Sequence, residues 1–204
     1  WSSTDCAGNT GTCAQTVTVN ATSVVTVPIE LIGVSAATTR CIKFTVSDGL
    51  ACATDVNVNV SFIAGLGTAV FNVECGDWTD VCLKDEQHTL YETTALSILG
   101  ANFEAPSTVV LFGGDTDNDG DIDINDVTFL ILTFGGPEAL GSCPWTGTSV
   151  RGADFSNDGN VASEDYTILA GSWLSFSSCA CTPGGGPALP IANRPGQGGR
   201  GGVG

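Results

Sequence analysis

Two acidic stretches of twelve residues constrain this chain more than any other feature. The first runs Asp115-Thr-Asp117-Asn-Asp119-Gly120-Asp121-Ile122-Asp123-Ile-Asn-Asp126. The second runs Asp154-Phe-Ser156-Asn-Asp158-Gly159-Asn160-Val161-Ala162-Ser-Glu-Asp165. Each has an oxygen-bearing side chain at places one, three, five and twelve, Gly at place six and a β-branched apolar residue at place eight. Ca²⁺ is a hard cation that takes about 6–8 oxygens at roughly 2.3–2.6 Å, and this spacing wraps one loop around one ion. One such stretch arises by chance as an acidic turn. Two, each followed by an apolar stretch, predict two bound Ca²⁺ ions. Further sites near Asp77, Asp80 and Asp85 have no loop pattern behind them.

Charge and length narrow the function classes. There are 22 Asp and Glu against 6 Lys and Arg, a net charge of −16. Nucleic acid needs a basic face, so it is not an expected partner. Much of the acidity sits in the two loops, where a cation gives it a chemical reason. The apolar runs fall far short of the ~20 residues that span a membrane, so no membrane insertion is expected.

The chain has no Met, and Trp1 reads as a processed or truncated start. The compartment is therefore read from the nine cysteines. None forms the paired CxxC or His spacing of a zinc site. Short-range disulfides in an extracellular or cell-surface protein are expected, pairing Cys6 with Cys13, Cys41 with Cys52, Cys75 with Cys82, and Cys143 with Cys179 or Cys181. An odd count leaves one thiol free or bonded between chains.

Along the chain, residues 1–20 read as a disulfide-closed hairpin turn followed by a short alternating strand, Gln15-Thr-Val17-Thr-Val19. Val25, Val27, Ile29 and Leu31 alternate with polar neighbours. Cys41-Ile-Lys43-Phe-Thr-Val precedes the turn signal Asp48-Gly49. Val56-Asn-Val58-Asn-Val60-Ser-Phe62 has the strict period of a half-buried antiparallel strand. Further strands are expected at 67–74, 87–93, 95–103 and 107–112. Many short strands with Gly and Asp turns point to a β-sandwich over 21–108. The segment 109–182 holds two loop–helix units. The first helix ends at Gly135-Gly136-Pro137, and the two small apolar faces are expected to pack on each other. Residues 183–204 form a Gly/Pro-rich extended tail with Arg194 and Arg200 and no acid.

The paired loops, each closing in Asp, resemble dockerin modules, whose loop–helix pairs bind Ca²⁺ and fold on it. Residue by residue, the resemblance implies side-chain ligands at Asp115, Asp117, Asp119 and Asp126, and at Asp154, Ser156, Asp158 and Asp165. It implies backbone carbonyls from Asp121 and Asn160, with Asp123 contributing directly or through water. Ala162 leaves that place to a water, so the second site is expected to be weaker. Cohesin-binding dockerins often carry Ser-Thr at places ten and eleven, where this chain has Ile124-Asn125 and Ser163-Glu164. Thr39-Arg40-Cys41-Ile42-Lys43-Phe44, Val73-Glu74-Cys75-Gly76 and His88-Thr89-Leu90 resemble segments of large secreted planctomycete-type surface proteins. Residues 1–19 resemble the last strands of a hyalin-repeat, immunoglobulin-like module. The fold class expected is mostly β with a small α part: an immunoglobulin-like β-sandwich, then a dockerin-like calcium module and the tail.

No catalytic set is visible. The one histidine, His88, has no evident nucleophile partner and reads as a surface or edge residue. The carboxylates are spaced for a metal rather than for proton transfer. The sequons at Asn20 and Asn59 decide nothing. Two readings follow. One is a secreted, calcium-stabilised filament subunit whose partners are copies of itself, joined through the N-terminal strand and the C-terminal tail. The other is an adaptor docking on a cohesin-like protein at the cell surface.

Overall fold

The computed structural model describes residues 2–4, 6–8, 10–12, 22–49, 52–85, 87–137, 152–177 and 179. At the N-terminus, β1 (Ser2–Thr4) pairs antiparallel with β2 (Thr10–Thr12) as a separate two-stranded sheet. The expected strand at 15–19 lies outside the described residues, as do Cys13, Cys143, Cys181 and the tail.

The remaining strands form one nine-stranded sheet. They are β3 (Thr22–Leu31), β4 (Thr38–Ser47), β5 (Cys52–Ile63), β6 (Leu66–Glu74), β7 (Asp80–Asp85), β8 (Glu92–Ala95), β9 (Ser97–Leu99), β10 (Asn102–Glu104) and β11 (Val109–Leu111). The order is β8-β7-β4-β5-β6-β3-β10-β9, with β11 also on β3. β10 and β11 lie parallel to β3, and each covers part of the same edge.

The sheet folds over on itself at the β5–β6 hairpin. There only Phe62 and Ile63 face Gly67 and Leu66, across a turn at Ala64-Gly65. Beyond it β5 runs with β4, while β6 runs with β3 over nine residue pairs, Thr22↔Glu74 to Glu30↔Leu66. The two layers enclose the core. Val25, Val27, Ile29 and Leu31 of β3 point inward at every second residue, as the alternation predicts. They meet Ile42, Phe44, Phe62, Phe71 and Leu83. The Phe44 and Phe71 rings touch across the layers, with centroids 4.6 Å apart. Each such side chain stabilises the fold by about 1.5–3 kcal/mol through lost apolar exposure.

A second core lies under the two loops. Helix α1 (Ile124–Thr133) and helix α2 (Ser163–Gly171) turn Leu130 and Leu169 onto Ile122, Val161, Ala153 and Phe155. Leu90, from the segment after β7, completes this core. The helices therefore share one small core, and the sandwich contributes to it. No helix among the described residues is long and apolar enough to cross a membrane.

Several expectations are corrected. The strand expected at 87–93 begins only at Glu92. Asp85 ends β7 in a tight turn: its carbonyl accepts the N–H groups of His88 and Thr89, and its Oδ1 accepts that of Gln87. A chain curled in this way cannot continue a ladder. The strand expected at 95–103 is a hairpin of β9 and β10 about Gly100, whose φ is +68°. His88 is buried rather than at a surface or edge.

The disulfides also differ from expectation. Cys82 is bonded to Cys179, with Cα atoms 5.7 Å apart, so neither Cys75–Cys82 nor Cys143–Cys179 forms. Cys75 and Cys6 are free thiols, which removes Cys6–Cys13. Cys41 is disulfide-bonded, but not to Cys52. Cys41 faces Asn59 and Cys52 faces Ser47 in the β4–β5 ladder. Those positions are about 20 Å apart at the rise of a strand, beyond the Cα separation a disulfide spans.

Candidate metal centre

The two loops are built alike, one hydrogen bond at a time. At place six, Gly120 and Gly159 donate their N–H to Oδ2 of the first-place carboxylates, Asp115 (3.2 Å) and Asp154 (2.8 Å). At place seven, Asp121 and Asn160 donate to Oδ1 of Asp119 and Asp158. At place nine, Asp123 and Ala162 donate to Oδ2 of Asp126 (2.7 Å) and Asp165 (2.8 Å). The backbone agrees. Asn118 and Asn157 sit at φ +65° and +61°, and Gly120 and Gly159 at +91° and +93°. Two bends into left-handed space, one residue apart, explain why Asn and Gly recur at places four and six.

The twelfth-place carboxylates tie each loop to its helix. Asp126 is buried in the first turn of α1, and its Oδ1 accepts the N–H and Oγ of Thr116 at 2.7 and 2.9 Å. Asp165 does the same in α2, where its Oδ1 accepts the Ser156 N–H at 2.8 Å. A carboxylate there also suits the positive end of the helix dipole. Asp123 caps α1 by accepting the Asn125 N–H at 2.7 Å; Ala162 offers α2 no such side chain.

The loops are also exchanged across the module. Ile122, at place eight of the first, bonds to the backbone of Leu174 and Ser175, just past α2. Val161, at place eight of the second, bonds to Gly135 and Gly136, just past α1. Each loop is thus held by the exit of the other loop's helix.

The donor set of the first loop fits a hard divalent cation. Carboxylate oxygens of Asp115, Asp117 and Asp126 all lie within 4.8 Å of one another. Oδ1 of Asp115 and Oδ1 of Asp117 are buried and accept no hydrogen bond from the described residues. Buried oxygens left without donors are costly unless a cation meets them. Burial, foremost, raises the Asp117 carboxyl above its usual range, and the Asp119 and Asp126 charges add to the rise. Asp115 is raised too, mainly by burial, against the pull of Lys84. In the second loop burial raises Asp154, opposed by the N–H groups of Gly159 and Asp158. Clustered acids that resist ionisation are what a Ca²⁺ ion relieves. Asp119 is exposed, at the mouth of the first loop.

Sequence reading did not find the residues that hold these loops to the sandwich. Lys84 of β7, fully buried, donates from Nζ to Asp115 Oδ2 at 2.8 Å. Arg40 of β4, equally buried, donates from Nε to Asp85 Oδ2 at 2.7 Å and from Nη1 to Asn157 Oδ1 at 2.9 Å. Burial pushes the Asp85 carboxyl up, but Arg40 and the other neighbours outweigh it and hold it below the usual range. His88 packs edge-on against Phe155 of the second loop, with centroids 5.2 Å apart. Its backbone carbonyl accepts the N–H of Gly114 and Asp115. The one signal in the sequence was the placing of charged residues, Arg40 and Lys84-Asp85, inside otherwise apolar strands.

No family model matches the chain, and no curated relative does. Among solved structures, it is similar to a chain from an N-terminal interface mutant of a type II cohesin–X-dockerin complex from Acetivibrio cellulolyticus. That chain is 19% identical, with 76% of this chain and 98% of that one covered and a TM-score of 0.49. A C-terminal interface mutant of the same complex gives 18% identity, the same coverage and a TM-score of 0.47. The structural neighbours are thus chains of cohesin–dockerin complexes, at a likeness too low to carry a function to this one.

Proposed function

We propose that this chain is a secreted calcium-binding structural protein, a subunit of an extracellular filament stabilised by Ca²⁺ and disulfides. The calcium part rests on one observation: buried Asp115 Oδ1 and Asp117 Oδ1 lie beside Asp126 with no donor to meet them. In this reading two ions shape the loops and take part in no reaction. The side chains at places one, three, five and twelve hold them. The Asp121 and Asn160 carbonyls and Asp123 complete the sets.

Open strand edges support assembly. β8 and β9 end the sheet on its two sides, and Ile98 and Leu99 of β9 are well exposed. The β1–β2 hairpin pairs with no other described strand, and a lone two-stranded ribbon is marginal in water. Adding strands from one copy to the edge of the next satisfies both, and a head-to-tail contact that does not close gives a filament. Electron microscopy of the purified chain in calcium and in EDTA tests this. Filaments in calcium are expected; monomers at every concentration and calcium level would end the filament reading.

A second reading, an adaptor docking on a cohesin-like receptor, is favoured by one feature. An apolar groove of about 420 Å³ runs between the helices, lined by Ile124, Val127, Tyr166, Leu169, Ala170 and Trp173. Monomers that capture a purified cohesin and lose it on Tyr166→Asp would favour this reading.

A further inference from the structure

We infer that Lys84 is a resident counter-ion of the first calcium loop and holds its calcium affinity below what its carboxylates alone would give. The inference rests on the calcium reading proposed above and adds to it the residue that tunes the site. Lys84 belongs to the sandwich, not to the loop, and reaches Asp115 from β7. Neither side chain is more than 1% exposed. The site for the ammonium is built: Nζ has Asp115 Oδ2 at 2.8 Å and the Tyr91 ring centroid at 5.0 Å. A cation over an aromatic face and against a carboxylate is held by both.

The two oxygens of Asp115 therefore have different tasks. Oδ2 takes Lys84 and the Gly120 N–H. Oδ1 takes nothing among the described residues and is the oxygen free to join the carboxylates of Asp117 and Asp126, which lie within 4.8 Å. Ca²⁺ on Oδ1 at about 2.4 Å stands on the order of 5 Å from Nζ, across a single carboxylate. Two cations at that distance, away from bulk water, repel strongly. In the calcium-free protein the same ammonium relieves repulsion among the clustered acids. Lys84 thus stabilises the empty loop and opposes the filled one, and both effects weaken net binding. They lessen, without removing, the loosening of the loop when calcium is scarce.

Calorimetric titration of the full chain with Ca²⁺ tests this, with Asp119→Ala identifying the first site. Lys84→Gln, which keeps a donor without the charge, should tighten the first site roughly tenfold or more. Lys84→Arg should leave it within about threefold, and the second site should not move in either. Lys84→Met, whose unbranched chain refills the space, repeats the comparison if Gln disturbs the fold; intact near-ultraviolet dichroism qualifies each variant. A first site unchanged or weaker in a folded, charge-free variant would overturn the counter-ion assignment. Two bound ions with no effect of Lys84 defeats this inference alone. A wild-type chain that binds no calcium defeats the proposed function instead.

Discussion

Arg40 in strand β4 donates Nη1 to Asn157 Oδ1 at 2.9 Å, joining the sandwich to the fourth place of the second acidic loop. The same guanidinium holds Asp85 at 2.7 Å, and all three side chains are buried. Arg40→Ala would leave the Asp85 carboxylate buried without its cation. Breaking a buried pair from one side costs about 3–5 kcal/mol. Chemical denaturation should show a loss of that size, and Arg40→Lys should recover only part of it because one ammonium cannot span both partners. A loss under about 1 kcal/mol would show that the contact does not couple the two parts.

Calcium removal should loosen the two acidic loops, residues 115–126 and 154–165. The acids there repel one another and two buried oxygens lack donors among the described residues, so a bound ion would contribute folding free energy directly. EDTA should lower the melting temperature by roughly 6–12 °C at millimolar reference calcium, on the order of 3 kcal/mol. Asp119→Ala should remove one bound ion; an unaltered calcium count would refute the assignment of the first loop.

His88 makes stability depend on acid. Burial, first, and then the Arg40 charge lower its pKa from 6.5 to about 3. The unfolded chain then takes up this proton near pH 6.5 while the folded chain refuses it until about pH 3. The stabilisation is complete above pH 6.5 and is lost as pH falls toward 3, by up to on the order of 5 kcal/mol. The raised carboxyls of Asp115, Asp117 and Asp154 act with opposite sign in calcium-free protein, since acid relieves them. Melting curves of wild type and His88→Leu at matched calcium isolate the histidine. The variant should lose less stability between pH 7 and 4; parallel curves would exclude His88 as the cause.

The Cys82–Cys179 bond ties β7 to the residues beyond α2, across 97 positions of sequence. Closing so long a loop in the unfolded chain is worth about 4.7 kcal/mol, less any native strain. Cys82→Ser with Cys179→Ser should lower stability by several kcal/mol without abolishing calcium binding, since neither thiol belongs to a loop. Loss of both ions in that variant would mean that the disulfide, not the carboxylates, shapes the sites.

How much could be read from the chain follows from how far apart the interacting residues lie. The turns of both loops, with Gly120, Gly159 and the closing Asp126 and Asp165, were legible because each loop closes within twelve residues, and local spacing decides its hydrogen bonds. The inward faces of β3 and β5 were legible for the same reason, since Val25, Val27 and Ile29 or Val56, Val58 and Val60 repeat at the period of a strand. The disulfides were misjudged because nearness in sequence was taken for nearness in space, while the β4–β5 register separates Cys41 from Cys52 and the fold carries Cys179 to Cys82. His88 was misjudged because nothing local says that Phe155 and Arg40 will enclose it.

The sequence alone determined the turns of the acidic loops and the alternation of the strands, because both are set by neighbours along the chain. Only the tertiary structure decided that Lys84 meets Asp115 and Arg40 meets Asn157. Those contacts exist because two layers of sheet and a pair of helices fold residues from distant parts of the chain into one buried seam, where a charge must find its opposite.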